Sequence, residues 1–160
     1  MKETGYRRDA ALEYAKKWAM GRNPRYLDFE HFGGDCTNFA SQCIYAGSGV
    51  MNYTPVMGWY YNSSTDRTPS WTGVQYLYNF LVNNKSVGPY AAETGQDGVQ
   101  PGDLVQLGNA SGFYHSPVIV AVTGGRIYVA AHSFDAYMRP LDSYLYVKSR
   151  FLHIQGVRSW

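Results

Sequence analysis

The chain has 160 residues, 16% of them charged, and a formal net charge of +2. That length fits one domain, 1–160, with a core large enough to need no staples. The charge is too small and too scattered for a nucleic-acid footprint, and no run of about 20 apolar residues could serve as a transmembrane segment.

From the N-terminus, Tyr6, Ala10, Tyr14 and Trp18, with Ala11 and Ala15, recur at helical spacing and predict a helix over 6–22, stopped by Gly21 and Pro24. This charged, helical start does not resemble a signal peptide. The chain is therefore expected to be cytoplasmic, or to be the mature part of a secreted protein. A loop over 25–34 leads into Gly33-Gly34-Asp35-Cys36-Thr37-Asn38-Phe39-Ala40-Ser41-Gln42-Cys43. Here Cys36, Phe39, Ala40 and Cys43 share one side of a second helix, which ends at Gly47 and Gly49. Residues 50–69, rich in Asn, Ser and Tyr, read as a loop-like insert. Ser70 is the expected N-cap of a third helix carrying Trp71, Val74, Leu77, Tyr78 and Leu81, with an exit at Asn83-Asn84-Lys85. After Gly88-Pro89 short strands follow at 104–107, 116–122, 127–131 and 151–157, broken by Gly102-Asp103, Gly124-Gly125 and Pro140-Leu141-Asp142. Helices followed by strands predict an α+β domain with helices packed on an antiparallel sheet.

Cys36 and Cys43 lie about 10 Å apart along one helix at roughly 1.5 Å per residue, beyond the reach of a disulfide. Cys43, mid-helix, reads as core. Cys36 stands at a helix start, where unpaired N–H groups and the positive dipole end favour a reactive thiolate. His115 and His132 each lie at the mouth of a strand-like run and are the candidate bases. His31 and His153 read as structural. Cys36, His115 and His132 are also chemically competent zinc ligands, but they lack close-spaced ligand pairs. No metal or other cofactor is expected.

A hairpin about Gly124-Gly125, with Thr123 opposite Arg126, suits a type I′ turn. Carried along the strands without a bulge, that register puts His115 and His132 on one face with Ile119, Ala121, Tyr128 and Ala130. It points Asp135 the other way.

The run from Asn23 through Tyr26 to Cys43 resembles the signature of the putative amidase domain, a relative of the NlpC/P60 and CHAP cysteine peptidases with a papain-like core. Ser70-Trp71, Pro101-Gly102-Asp103-Leu104-Val105 and His115-Ser116-Pro117-Val118-Ile119-Val120 agree in order and spacing, so the likeness spans nearly the whole chain. The resemblance implies Cys36 as nucleophile and His115 as its general base. It leaves the third catalytic residue between His132 and Asp135, and the hairpin parity selects His132. Tyr26 and Asn38 are candidates for the oxyanion or substrate-binding site, beside the Cys36 backbone N–H.

The expected activity is amide hydrolysis through a thioester, on peptidoglycan or a peptide, by an enzyme outside the cell or at the cell wall. The 15 tyrosines and 4 tryptophans suit such a sugar-and-peptide ligand. The same residues would serve a cysteine acyltransferase or transpeptidase, and a catalytically silent cell-wall binding module is the non-enzymatic alternative.

Overall fold

The four α-helices precede the long strands of the main sheet, with three short strands interspersed among them. The structure, a computed structural model, describes residues 1–160. A short strand β1 (Lys2–Glu3) precedes α1 (Arg8–Trp18) and α2 (Cys36–Ser48). Next come the small hairpin β2 (Tyr61–Ser63) and β3 (Asp66–Arg67), then α3 (Pro69–Thr72) and α4 (Val74–Asn83). Strands β4 (Gly88–Thr94), β5 (Leu104–Asn109), β6 (Gly112–His115), β7 (Val118–Thr123), β8 (Arg126–Ala131), β9 (Ala136–Pro140) and β10 (Lys148–Ser159) complete it. The main sheet runs β1-β10-β5-β7-β8-β9, with β4 added on β10 and β6 on β5, and every pair is antiparallel. The fold is α+β, as expected.

Alternation along the strands builds two apolar layers, one on each face of the sheet. Leu104, Val118, Ala130, Leu152 and Ile154 face the helices and join Phe39, Ala40, Cys43 and Ile44 of α2. Val105, Leu107, Ile119, Ile127, Val129 and Phe151 form the smaller layer on the far face. Helix α2 lies centrally, most of its residues buried. Its entry and exit are fixed by glycines. Gly49 ends it in the left-handed region (φ 66°), its N–H donating to the Tyr45 carbonyl at 2.8 Å. At Gly47 a Cβ would fall 2.5 Å from the Tyr6 ring and 2.9 Å from the Arg7 carbonyl, so the chain entering α1 crosses in contact with the α2 backbone.

Three expectations need correction. The insert over 50–69 is part of the core: Trp59 is fully buried, its ring 4.7 Å from that of Trp71, and Asn52 bridges to it in an isolated β-ladder. The third helix is two helices, because Gly73 is extended (φ −111°, ψ 129°) and interrupts the helical period. Ser70 lies inside the first of them and donates instead to the Gly58 carbonyl at 2.6 Å, tying the insert down.

The third correction concerns register. Thr123 does oppose Arg126, and Val122 and Ala121 oppose Ile127 and Tyr128. A bulge between Ile119 and Ala121 then shifts the pairing by one, so Ile119 opposes Val129 and Val118 opposes Ala130. One residue of slip moves a side chain to the other face. Ile119 and Ala130, expected to be neighbours on one face, lie on opposite faces.

Candidate active site

The site is built at the N-terminus of α2. Gly33 (φ 98°) and Gly34 (φ 102°) turn the chain through conformations that side chains resist, delivering Asp35 to the N-cap position. The Asp35 carboxylate does not cap the helix. It is fully buried and accepts hydrogen bonds from the Phe29 N–H (2.8 Å), Asn38 Nδ2 (2.9 Å) and His132 Nδ1 (2.5 Å). Burial opposes its charge, but these donors outweigh burial and hold its carboxyl below the usual carboxylate range. The first helical bond runs from Phe39 N–H to the Asp35 carbonyl, which leaves the N–H groups of the first turn without a carbonyl partner.

Cys36 opens that turn and is 9% exposed. Its Sγ lies 3.7 Å from Thr37 Oγ1 and 3.8 Å from the Tyr114 carbonyl, against the backbone that carries His115. Thr37 Oγ1 meets Ser116 Oγ at 3.1 Å, locking the helix start to the strand. Burial pushes the thiol pKa up, and Asp35 adds to this. The Thr37 hydroxyl and the N–H groups of Ser116 and Thr37 only partly compensate. The expected easy ionisation is thus reversed in the resting protein, with loss of solvent the largest cause. Cys43 is fully buried, and burial raises its thiol pKa much further; both cysteines are free.

His115 ends β6 opposite Leu107, on the far face of the sheet, its ring 5.6 Å from that of Tyr144. Burial, aided by the Arg139 charge, lowers its pKa to about 4, so the imidazole is neutral at physiological pH. Neither ring nitrogen makes a hydrogen bond to the protein, Cys36 included.

His132 is placed elsewhere. It is buried on the helical face, stacked on Phe39 at 4.2 Å, with Nδ1 donating to Asp35 and Nε2 lying 2.9 Å from the Trp18 carbonyl and 3.2 Å from Arg22 Nη1. The bulge in β7 separates it from His115, so the shared face on which the choice of His132 rested does not exist. Asp135 makes a two-pronged ion pair with Arg22 (2.8 and 3.1 Å) and does not contact His115 either. Arg22 also pairs with Asp28 at 3.3 Å and Glu30 at 3.4 Å, gathering the loop before Cys36. Asn38 is fully committed: its amide donates to the Leu27 carbonyl and Asp35, and its oxygen accepts from Trp71 Nε1. Its side chain has no donor left for an oxyanion. Tyr26 packs on Tyr61 and Trp71 with its hydroxyl unbonded, and burial raises that hydroxyl to about 12.

Cys36, His115 and His132 do not converge as a zinc set would. His31 is exposed, whereas His153 bonds Asp103 at 2.8 Å beside Arg8, a staple between β10 and the turn before β5. Sequence reasoning missed Arg22, Arg139 and Tyr144. It quoted Asp35 in the cysteine motif without assigning it a task; an acidic residue directly before a helix-start cysteine was the available signal.

A family model described as "Putative amidase domain" matches residues 5–155. Two relatives from Bacillus subtilis (strain 168) are both named as uncharacterized proteins. YhbB is 32% identical over 84% of this chain and 43% of its own length, and YjcM is 24% identical over 91% of this chain and 34% of its own length. The chain thus spans less than half the length of either relative. No solved structure matches it. With the motif residues lying together at the start of α2 and the match extending over nearly the whole length, the chain belongs to the putative amidase domain family.

Proposed function

We propose that this domain is a cysteine-dependent amide hydrolase acting on peptidoglycan at the cell wall, with a papain-like arrangement related to the NlpC/P60 and CHAP peptidases. One observation carries the reading: the Cys36 thiol stands at an uncapped helix N-terminus, against the strand backbone that bears a neutral, unbonded His115. A protonated thiol served by a neutral imidazole is a nucleophile working with a general base, rather than a preformed ion pair. His115 takes the Sγ proton as sulfur adds to the amide carbonyl. It returns that proton to the leaving amine, and a thioester remains on Cys36. Water, deprotonated by His115, then adds to the thioester and releases the acid and the thiol. The Cys36 backbone N–H is free to donate to the oxyanion, and the unbonded Tyr26 hydroxyl is the side-chain candidate. His132 acts by holding Asp35, and through it the helix start.

Incubating the domain and its Cys36→Ser variant with sacculi and defined muropeptides, followed by mass spectrometry, tests this. New amino and carboxyl ends with the parent and none with the variant support the reading. Cleavage that survives the substitution contradicts the cysteine mechanism, and turnover of small amides alone contradicts the cell-wall substrate.

A further inference from the structure

Beside His115 lies a pair of residues that neither the motif nor the proposed chemistry uses. Arg139, on β9, is held by Ser143: Nε donates to Oγ at 2.8 Å and an Nη to the carbonyl at 3.2 Å. Its guanidinium is stacked on the Tyr144 ring, 3.6 Å from the centroid. None of the ion pairs in the protein includes it. The Tyr144 ring in turn contacts the His115 ring at 5.6 Å, and the Tyr144 hydroxyl is buried with no hydrogen-bond partner. A fixed, unneutralised guanidinium next to a buried orphan hydroxyl provides a charge and a donor set without an acceptor.

We propose that Arg139 and Tyr144 form a recognition site for a free carboxylate on the substrate, next to the base His115. The proposal rests on the hydrolase reading for its location and adds the substrate class: an amide whose acyl or amine part carries an acidic group close to the scissile bond. Arginine presents a planar fork matched to a carboxylate, and stacking on an aromatic ring preorganises it. An uncharged polar group cannot compensate the guanidinium in the same way. The site also links recognition to chemistry. The Arg139 charge is one reason His115 resists protonation, so a bound carboxylate neutralises that charge and lets His115 accept the thiol proton.

The test uses binding, which separates it from the hydrolase reading. In the Cys36→Ala background, N-acetyl-L-alanyl-D-glutamate and the same compound with both carboxyls amidated are titrated while the His115 ring signals are followed by NMR. The expected result is binding of the acid at least about tenfold tighter than the amide, with a rise in the His115 pKa on saturation. Arg139→Gln should bring the two compounds within about twofold of each other, and Arg139→Lys should keep part of the preference. A preference that survives Arg139→Gln, or the absence of any preference for the acid in the parent, overturns the proposal whether or not muropeptides are cleaved.

Discussion

Asp35 and His132 share a 2.5 Å hydrogen bond across 97 residues of sequence, each side chain 1% exposed. The bond joins the residue before Cys36 to the end of β8, so the position of Cys36 depends on it. Removing His132 takes from the buried Asp35 carboxylate one of its three short hydrogen bonds, which costs about 1.5–3 kcal/mol. His132→Ala should therefore lose stability to chemical denaturation on that scale, with activity falling alongside. A variant that kept full stability and lost only turnover would return His132 to a purely catalytic role.

The same pair sets an acid limit. The folded Asp35 pKa lies below its unfolded value, so the stabilisation is complete above the unfolded value and is lost as pH falls through the folded one. Asp35→Asn should be less stable near pH 7, and the gap to the parent should close as both are acidified. A gap that stays constant with pH would show that the charge of Asp35 is not what stabilises.

His115 acts with the opposite charge logic. Its folded pKa of about 4 lies below the ordinary histidine value of 6.5, and Arg139 is the charged group beside it, with Tyr144 the titratable ring in contact. Between those values the unfolded chain binds a proton that the folded one refuses. Stability should fall as pH drops through this window, by up to about 1.4 kcal/mol per unit. His115→Gln should flatten the slope. An NMR titration showing His115 protonated at pH 6 would contradict both the slope and the general-base assignment.

Cys36 should show no thiolate absorbance at 240 nm at pH 7, since burial raises its pKa. Iodoacetamide should modify it slowly at neutral pH and faster with each alkaline step, yet always ahead of the fully buried Cys43. A thiolate signal at pH 6 that disappears in Cys36→Ser would mean that a preformed ion pair exists after all.

Gly47→Ala should destabilise the domain by about 1–3 kcal/mol, because the added methyl meets the Arg7 carbonyl, which has no room to withdraw while its own N–H is bonded to Gly47 O. Thermal denaturation checks this. A neutral substitution would mean that the entry of α1 is looser than the structure has it.

What the sequence disclosed follows from how local each signal is. The α2 spacing of Cys36, Phe39, Ala40 and Cys43, and the turn at Gly124-Gly125, are set by neighbours in the chain and were readable. The bulge after Ile119 answers to the two sheet faces it serves and left no mark in residues 118–123. That one slip reversed the inferred relation of His132 to His115. Gly73 breaks the third helix in two, but Trp71 and Val74 fit a single helical period across it. The Arg139–Tyr144 stack joins β9 to a turn beyond it, a contact that no periodicity encodes.

The central claim, covalent catalysis by Cys36, is tested most directly by rapid acid quench of the domain with a muropeptide, followed by mass spectrometry of the peptide that contains residue 36. The expected result is a transient acyl mass on Cys36 that decays as product forms and is absent from Cys36→Ser. Product formation at an unchanged rate in Cys36→Ser, with no acyl mass on Cys36 in the parent at any quench time, would contradict it.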